Sequence, residues 1–230
     1  MTDLRSLFFV RKCLVCGAVL TDGTVFCPKC RLEYEKLKRA RCPRCGAPQS
    51  ACRCAPPMLT GVRAVHLFAF DSALSRELIY LLKRKDVRVL QNFFADELSS
   101  LLSPLCDGET AITYAPRAKK SVRLYGFDQA ARIAKRVAKE LDLPLVSLFR
   151  HKGSTLQKNL SATERKENAE GSYALRRRLP TPTGTLVILD DVMTTGSTLY
   201  ALATLARRAG YANVIAVTVA RTQKTEDDHE

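Results

Sequence analysis

The sequence has no uncharged apolar run of about 18 residues, the length from which a membrane-spanning helix is built. The apolar patch near its start, residues 7–10, lies between charged residues and runs directly into cysteines, so it is too short for a secretory signal. We therefore expect a cytoplasmic protein with no membrane insertion. At 230 residues, 46% of them hydrophobic, the chain is long enough for one good-sized domain and a small one.

Acidic residues are the next deficit: 23 Asp and Glu stand against 37 Lys and Arg, which gives a net charge of +14. Residues 1–60 hold 11 of the basic and 4 of the acidic residues, so half of the excess charge lies in the first quarter of the chain. Such a balance favours polyanionic partners, either nucleic acid or phosphorylated ligands. A solvated surface that keeps the protein in solution explains the charge equally well.

Disulfides are not expected, although the chain has nine cysteines. The number is odd and eight of them form close pairs, which favours metal ligation. Sequential pairing gives one zinc ion on Cys13, Cys16, Cys27 and Cys30 and a second on Cys42, Cys45, Cys52 and Cys54. The second site is the weaker prediction because its last pair is tighter than C-x-x-C, and a crossed pairing stays open. Zinc would supply folding energy to this unit, whose role is structural or the binding of nucleic acid or a partner.

An apolar strand that ends in an acid pair and a hydroxyl-rich turn is the most specific pattern in the chain. The run from residue 187 ends at Asp190 and Asp191, and a helix is expected after the turn. Unpaired N–H groups at a helix start suit a phosphate, whereas two acids suit ribose hydroxyls or a hydrated Mg²⁺. We expect a sugar phosphate here, unless this is an ordinary strand–turn–helix. The candidate phosphate-binding residues are Met193, Thr194, Thr195, Gly196, Ser197 and Thr198.

Strands and helices alternate through most of the chain, which predicts an α/β fold with a doubly wound parallel sheet. Strands are expected at 62–70, 110–115, 144–149, 187–191 and 214–220, and helices at 32–41, 72–85, 87–102, 127–141, 161–170 and 198–209. The strand at 110–115 delivers a basic loop where a second anionic group could bind. A solvated loop is the alternative. Further residues that could reach the site are Arg150, Gln157, Arg165 and Asn168.

The chain divides into three parts. A proline-containing linker at residues 55–57 separates a zinc-binding module, resembling a double zinc ribbon (1–57), from the α/β domain (58–224). An acidic tail, residues 225–230, is expected to be disordered.

Residues 187–199 resemble the 13-residue signature of the type I phosphoribosyltransferases, which bind phosphoribosyl pyrophosphate (PRPP). The resemblance implies that Asp190 and Asp191 hold the ribose hydroxyls, as the catalytic acids of an active enzyme, and that residues 194–198 bind the 5′-phosphate. It also implies that the basic loop binds the pyrophosphate, through Arg117, Lys119 and Arg123.

With both halves in view, the chain resembles the ComF-type (ComFC) competence proteins, which join a zinc module to a phosphoribosyltransferase-like domain. The resemblance is carried by the cysteine pairs, Leu82-Lys83, Gly126-Phe127-x-Gln129, Val219-Ala220-Arg221 and the set Arg150, Gln157, Leu160, Arg165, Asn168 and Gly171. Gly126 and Gln129 thereby join the candidate pocket. One departure is that the family has Arg-Gly-Phe-Asn-Gln where this chain has Tyr125-Gly126-Phe127-Asp128-Gln129. This exchange predicts weaker PRPP binding unless Arg123 compensates.

The resemblance implies a protein that handles incoming single-stranded DNA during natural transformation, beside a helicase partner, with a PRPP- or phosphate-binding pocket. Binding should be salt-sensitive and weakly selective, because the zinc module offers few rings for base stacking, mainly Phe26 and Tyr34. The alternative is an authentic phosphoribosyltransferase that transfers the ribosyl 5-phosphate of PRPP·Mg²⁺ to a nitrogen acceptor, although no acceptor-binding element is apparent. A third reading is a nucleic-acid-binding zinc ribbon on a domain that has lost ligand binding.

Overall fold

The computed structural model of the chain describes residues 11–21, 24–56, 59–152, 171–182 and 184–222. Its strands are β1 (Arg63–Ala69), β2 (Thr110–Tyr114), β3 (Phe149–His151), β4 (Tyr173–Leu175), β5 (Thr185–Met193) and β6 (Asn213–Arg221). Its α-helices are α1 (Pro28–Arg39), α2 (Ala73–Arg84), α3 (Arg88–Leu102), α4 (Lys119–Tyr125), α5 (Gln129–Glu140) and α6 (Ser197–Arg208).

Four of the strands form one parallel sheet in the order β1-β6-β5-β2. Strand β5 is central, and its Val187 pairs with Ile112 of β2 on one side and with Ile215 of β6 on the other. Strands β3 and β4 form a separate antiparallel pair. Because the strands are parallel, the loops that follow β1, β2, β5 and β6 all lie at one edge of the sheet, where ligands bind in open α/β folds.

Helices cover both faces of the sheet, so the prediction of a doubly wound parallel fold is confirmed. On one face Val187 and Val217 are buried together with apolar residues of α2, α3 and α5. On the other face Ile188 and Ala216 are buried against α6. A strand that is covered on both sides needs apolar residues at every position, which explains the unbroken run before the acid pair.

The N-terminal module covers β1, the edge strand of the sheet. Residues 64–69 are all buried although β1 has a strand neighbour on one side only. Helix α1 contacts β1 through Tyr34, whose ring centroid lies 5.9 Å from that of Phe68. The short 3-10 turn Gln49–Ala51 contacts it through Gln49, whose Oε1 lies 2.9 Å from His66 Nε2. The module therefore shields an edge that would otherwise be open to pairing with another chain.

Aromatic side chains anchor α1 to the rest of the fold. The Tyr34 ring lies 5.1 Å from the Phe93 ring, and the Phe26 ring lies 5.2 Å from the same ring. Phe26 and Tyr34 are 4% and 0% exposed, so the prediction that they offer faces for base stacking is wrong. Lys38 adds an ion pair of 2.5 Å to Glu97 of α3. The helix that looks solvated in sequence is thus a packed element of the core.

The other predicted elements are recovered with a few differences. The basic stretch predicted as a loop forms α4, and Gly126 ends this helix in the left-handed conformation at φ +79°. The strand expected at 144–149 is reduced to a bridge between Leu145 and Ile112 and to the start of β3. The helix expected at 161–170 and the tail at 225–230 lie outside the described residues. Among the described residues, no helix has the length and apolarity needed to cross a membrane.

Candidate functional site

Strand β5 carries the acid pair to the carboxyl edge of the sheet, where the two side chains point in opposite directions. Asp191 is 6% exposed and faces α2 and α5, with Oδ1 lying 3.2 Å from Lys83 Nζ and Oδ2 accepting a hydrogen bond from Gln129 Nε2. Asp190 Oδ1 accepts a 2.8 Å hydrogen bond from the backbone N–H of Asp191. Adjacent strand residues face opposite sides, so each acid meets a different environment.

The two environments give Asp190 an unusual protonation state. Burial, followed by the neighbouring Asp191 carboxylate, raises the pKa of Asp190 to about 8, and the backbone N–H of Asp191, followed by Lys83, opposes the rise only in part. Asp191 has Lys83 and Gln129 as partners, whereas no cation of the described residues forms an ion pair with Asp190. A carboxyl group in this state is neutral at pH 7 and would be stabilised as an anion by any positive charge that a ligand brings.

Gln129 is held in place by Arg117, which follows β2. Arg117 Nη1 donates to Gln129 Oε1 at 2.8 Å, and Nη2 donates to the backbone carbonyl of Lys83 at 3.0 Å. The guanidinium also lies over the Tyr125 ring, 4.5 Å from its centroid. The amide oxygen of Gln129 is therefore occupied, which leaves its NH₂ group directed at Asp191. Arg117, predicted as a pyrophosphate ligand, is engaged in bonds within the protein.

The departure from the family pattern has a local structural explanation. Asp128 is the N-cap of α5: its Oδ1 accepts from Ala131 N at 3.1 Å, and its Oδ2 accepts from Arg117 N at 2.8 Å. Burial raises the pKa of Asp128, while these N–H donors oppose the rise. Tyr125, where the family has Arg, provides the ring on which Arg117 stacks. The additional acid is thus hydrogen-bonded into a helix start. Weaker PRPP binding stays a prediction.

The hydroxyl-rich turn leads directly into α6. Gly196, the N-cap, has φ +84° and no side chain, and the Ser197 N–H makes one long bond of 3.4 Å to Thr195 Oγ1, so the other N–H groups of the first turn are available to an anion. The hydroxyls of Thr195 and Ser197 lie 2.6 Å apart. A Cβ atom at Gly196 would lie 3.2 Å from Leu59 and 3.3 Å from Pro56, which flank the end of the linker. Both the backbone conformation and this packing require glycine here.

The remaining predicted residues are placed unevenly. Met193 is buried at the end of β5, Thr194 is exposed, and Thr198 is half-buried at the start of α6. Lys119 and Arg123 are exposed on α4. Gln157, Arg165 and Asn168 lie outside the described residues, and Arg150 is exposed in β3.

Two residues near the acid pair were not predicted as site residues. Lys83 pairs with Asp191, and its signals in the sequence were its place in the family resemblance and in the basic end of the helix. Tyr173 of β4 hydrogen-bonds the Thr198 side chain, and burial, followed by the Asp190 carboxylate, raises the pKa of its phenol. Nothing in the sequence indicated Tyr173, because β4 is short and reaches the site only through the fold.

The eight paired cysteines form two clusters with the sequential pairing that the spacing predicted. In each cluster the four sulfur atoms lie within 4.8 Å of one another, with Cys16 and Cys27 at 3.6 Å and Cys45 and Cys52 at 3.8 Å. Sulfur ligands at about 2.3 Å in a tetrahedron around zinc would be about 3.8 Å apart, so both clusters fit the ion. The described residues give no support to a crossed pairing.

One thiol of each cluster lies in an environment that favours metal ligation. Burial alone would raise the pKa of Cys13, but backbone N–H groups lower it to about 6. The same balance lowers the pKa of Cys42 to about 7, whereas burial and the neighbouring cysteines raise the pKa of Cys30, Cys52 and Cys54. The first cysteine pair of each cluster is followed by a glycine of positive φ, Gly17 at 74° and Gly46 at 69°, so the module repeats one turn twice. N–H groups directed at sulfur stabilise the thiolate that binds zinc.

The second cluster is fastened to the carboxyl edge of the sheet. Gln49 lies between its cysteines and contacts His66 of β1. Arg221, at the end of β6, donates to the backbone carbonyl of Cys54. Arg221 is also the register partner of Met193, the last residue of β5. The cluster therefore lies one strand away from the acid pair and its turn.

Comparison with known proteins gives matches for both parts of the chain. Residues 4–58 match the double zinc ribbon domain, and residues 126–230 match the phosphoribosyl transferase domain. Competence protein ComFC of Bacillus subtilis is 25% identical over 217 residues, which cover 85% of this chain and 84% of that protein. Competence protein F of Haemophilus influenzae is 32% identical over 88 residues, 37% of this chain and 38% of that protein.

Solved structures with a similar outline include adenine phosphoribosyltransferase from Thermoanaerobacter pseudethanolicus. It aligns with a TM-score of 0.39 and 17% identity over 60% of this chain and 82% of that chain. The strand order and the two domain matches identify the fold. The chain thus joins a double zinc ribbon to a phosphoribosyl transferase domain, and it is similar to ComFC over 85% of its length, as the resemblance to the ComF-type proteins predicted.

Proposed function

We propose that the protein handles single-stranded DNA during natural competence and binds PRPP with Mg²⁺ at the carboxyl edge of its sheet. The main support for the pocket is that the acid pair, Asp190 and Asp191, lies beside the start of α6, whose N-cap Gly196 has no side chain. The observations that support a role in DNA uptake are the names of the two competence relatives and the net charge of +14. A helicase partner in the cytoplasm belongs to the same proposal.

Each part of PRPP has a matching group at this edge. Residues 194–198 offer N–H and hydroxyl donors to the 5′-phosphate. Asp190 and Asp191 would take the ribose hydroxyls, directly or through the hydration shell of Mg²⁺. Among the described residues, Lys83 is the cation that forms an ion pair with the acid pair. Lys119 and Arg123 are exposed and would bind the pyrophosphate.

An authentic phosphoribosyltransferase is the second candidate, favoured by the unbroken acid pair and turn. Such an enzyme would form a bond between C1 of the ribose and a nitrogen of the acceptor, with pyrophosphate as the leaving group. Its catalysis would come from positioning and from charge stabilisation. Arg117 counts against it, because its guanidinium is bonded to Gln129 and to the Lys83 carbonyl.

Calorimetric titration with PRPP and Mg²⁺, and separately with single-stranded DNA, tests the proposal. We expect saturable heat from PRPP with wild type and a loss of at least tenfold in affinity with Asp190→Asn plus Asp191→Asn. The variant Glu33→Gln plus Glu140→Gln makes the same carboxyl-to-amide change at two surface sites and should bind as wild type does. If wild type gives no heat with PRPP, both the PRPP pocket and the phosphoribosyltransferase activity are refuted. Release of pyrophosphate in the presence of a nitrogen acceptor would favour the phosphoribosyltransferase.

A further inference from the structure

Aromatic rings and guanidinium groups alternate from α2 across α4 to α5. Arg84 lies over Tyr80 at 5.4 Å and over Tyr125 at 5.9 Å, measured from guanidinium carbon to ring centroid. Arg117 lies over Tyr125 at 4.5 Å and over Phe127 at 5.8 Å. Arg132 closes the series over Phe127 at 5.0 Å. We call this series, Tyr80–Arg84–Tyr125–Arg117–Phe127–Arg132, the cation–ring ladder.

The outer end of the ladder is open to solvent, whereas its inner end is part of the site. Tyr80 is 48% exposed, Arg84 is exposed, and Leu124 beside Tyr125 is 71% exposed. Arg117, by contrast, bonds to Gln129 and through it reaches Asp191. Exposed rings that are already stacked on cations lose little conformational entropy when a further flat group is added.

Unpaired positive charge surrounds the outer end. Five exposed cations near Tyr80 and Tyr125 form no ion pair with any of the described residues: Arg84, Lys85, Lys119, Lys120 and Arg123. The stretch from 117 to 127 contains no acidic residue. The nearby Asp86 is already paired with Arg132. This surface combines a positive field with accessible rings.

The zinc module offers a poorer surface for the same ligand. Its rings Phe26 and Tyr34 are buried, so its exposed cations, such as Lys29 and Arg39, have no accessible ring of the module's described residues beside them. A strand of nucleic acid needs both phosphate contacts and ring faces, and within the described residues these occur together on α2 and α4.

We propose that the outer end of the cation–ring ladder is the docking surface for single-stranded DNA. The phosphates contact the exposed cations of α2 and α4, and bases stack on Tyr80 and on the Arg84 guanidinium. This inference rests on the proposed handling of single-stranded DNA and names its contact surface. Since every base has a ring face, binding is tolerant of sequence, and since the phosphate contacts release counterions, it weakens steeply with salt.

Fluorescence anisotropy with labelled oligo(dT) at several salt concentrations tests the surface, with the full chain and its zinc in place. We expect Tyr80→Ala to weaken binding by about 5- to 150-fold and Tyr80→Phe to retain it, since stacking on one base accounts for about 1–3 kcal/mol. Leu32→Ala, at another exposed apolar position of 57% exposure, is the matched control and should bind normally.

The phosphate contacts are tested by the salt slope. We expect Lys119→Ala plus Lys120→Ala to reduce the slope of log affinity against log salt by about 1.4, the amount for two contacts with a single strand. Lys139→Ala plus Arg208→Ala removes the same charge from other exposed positions and should leave the slope unchanged. A parallel titration with oligo(rU) separates DNA from RNA.

These experiments test the proposed docking surface separately from the proposed handling of single-stranded DNA. If wild type binds DNA but the ladder variants bind as the controls do, the surface is wrong while DNA handling stands. If wild type binds no single-stranded DNA, both are wrong. An unchanged Tm of Tyr80→Ala beside its weakened binding excludes misfolding as the cause.

Discussion

Replacing Asp190 by Asn should stabilise the unliganded protein, and the gain should grow with pH. In the folded state the pKa of Asp190 is about 8, compared with an ordinary value of 3.8. The folded state therefore holds a proton that the unfolded state releases, so this side chain reduces stability as pH rises from about 4 to about 8. Below pH 4 the carboxyl group is protonated in both states, and the effect vanishes.

The magnitude follows from the size of the shift. At 1.36 kcal/mol per pKa unit, the difference at pH 7 corresponds to about 4 kcal/mol. Asp190 as a residue is only half-buried, and solvent near it screens its charge, so we expect about 2 kcal/mol. For a chain of this size that raises the Tm of Asp190→Asn by about 4–8 °C at pH 7 to 8.

Thermal unfolding of wild type and variant at pH 4.5, 6.0 and 7.5 measures this effect. Asp191→Asn is the control, because Asp191 is held by Lys83 and Gln129 and its loss should lower the Tm. A Tm difference for Asp190→Asn that does not change with pH, or that favours wild type at pH 7.5, would refute the assigned protonation state. If the state is right, binding of PRPP·Mg²⁺ at pH 7 should also release a proton, which calorimetry in buffers of different ionisation enthalpy detects.

Three further results are expected. Gln129→Leu removes the amide group that donates to Asp191 and should weaken PRPP binding about tenfold. Gln129→Glu should not restore the affinity, because it places a second carboxylate beside Asp191. Equal affinities of variant and wild type by calorimetry would contradict this. Cys16→Ser and Cys45→Ser should each lower the zinc content by one ion per chain in elemental analysis, since they belong to separate clusters. Gly196→Ala should cost about 1–3 kcal/mol in chemical unfolding because of its positive φ and its contact with Leu59; a neutral result would show that the turn can relax.

The parts of the fold that the sequence predicts are those whose determinants are local. The apolar run of β5, the acid pair and the turn with Gly196 follow one another along the chain, and the structure has them as strand, edge and helix start. The cysteine clusters were predicted for the same reason, because spacing within a pair sets the knuckle. Helix α4 was missed, although its lysines, arginine and leucine favour a helix and Gly126 is a left-handed C-terminal stop.

Contacts between distant segments could not be predicted in this way. Tyr34 looks like an exposed ring on a charged helix, but its partners Phe68 and Phe93 come from other parts of the chain. Likewise Asp128 looked like an unwelcome acid beside a pyrophosphate, and only the fold shows it capping α5 and accepting from Arg117 N. The identity of a charged or aromatic residue does not tell whether its side chain is packed or exposed. Its role depends on neighbours in the fold whose positions the sequence does not give.

The burial of β1 decides how the role of the zinc module can be tested. An edge strand whose residues 64–69 are all buried depends on whatever covers it, and the cover here is α1 with Tyr34 and the turn with Gln49. Removing residues 1–56 would uncover that strand and the Phe68 ring, and the shortened chain should aggregate through its open edge. Loss of DNA binding in such a truncation would therefore report lost folding. Point substitutions on exposed cations of the module, such as Lys29→Ala with Arg39→Ala, leave the cover intact, and if the module is structural they should leave DNA affinity unchanged.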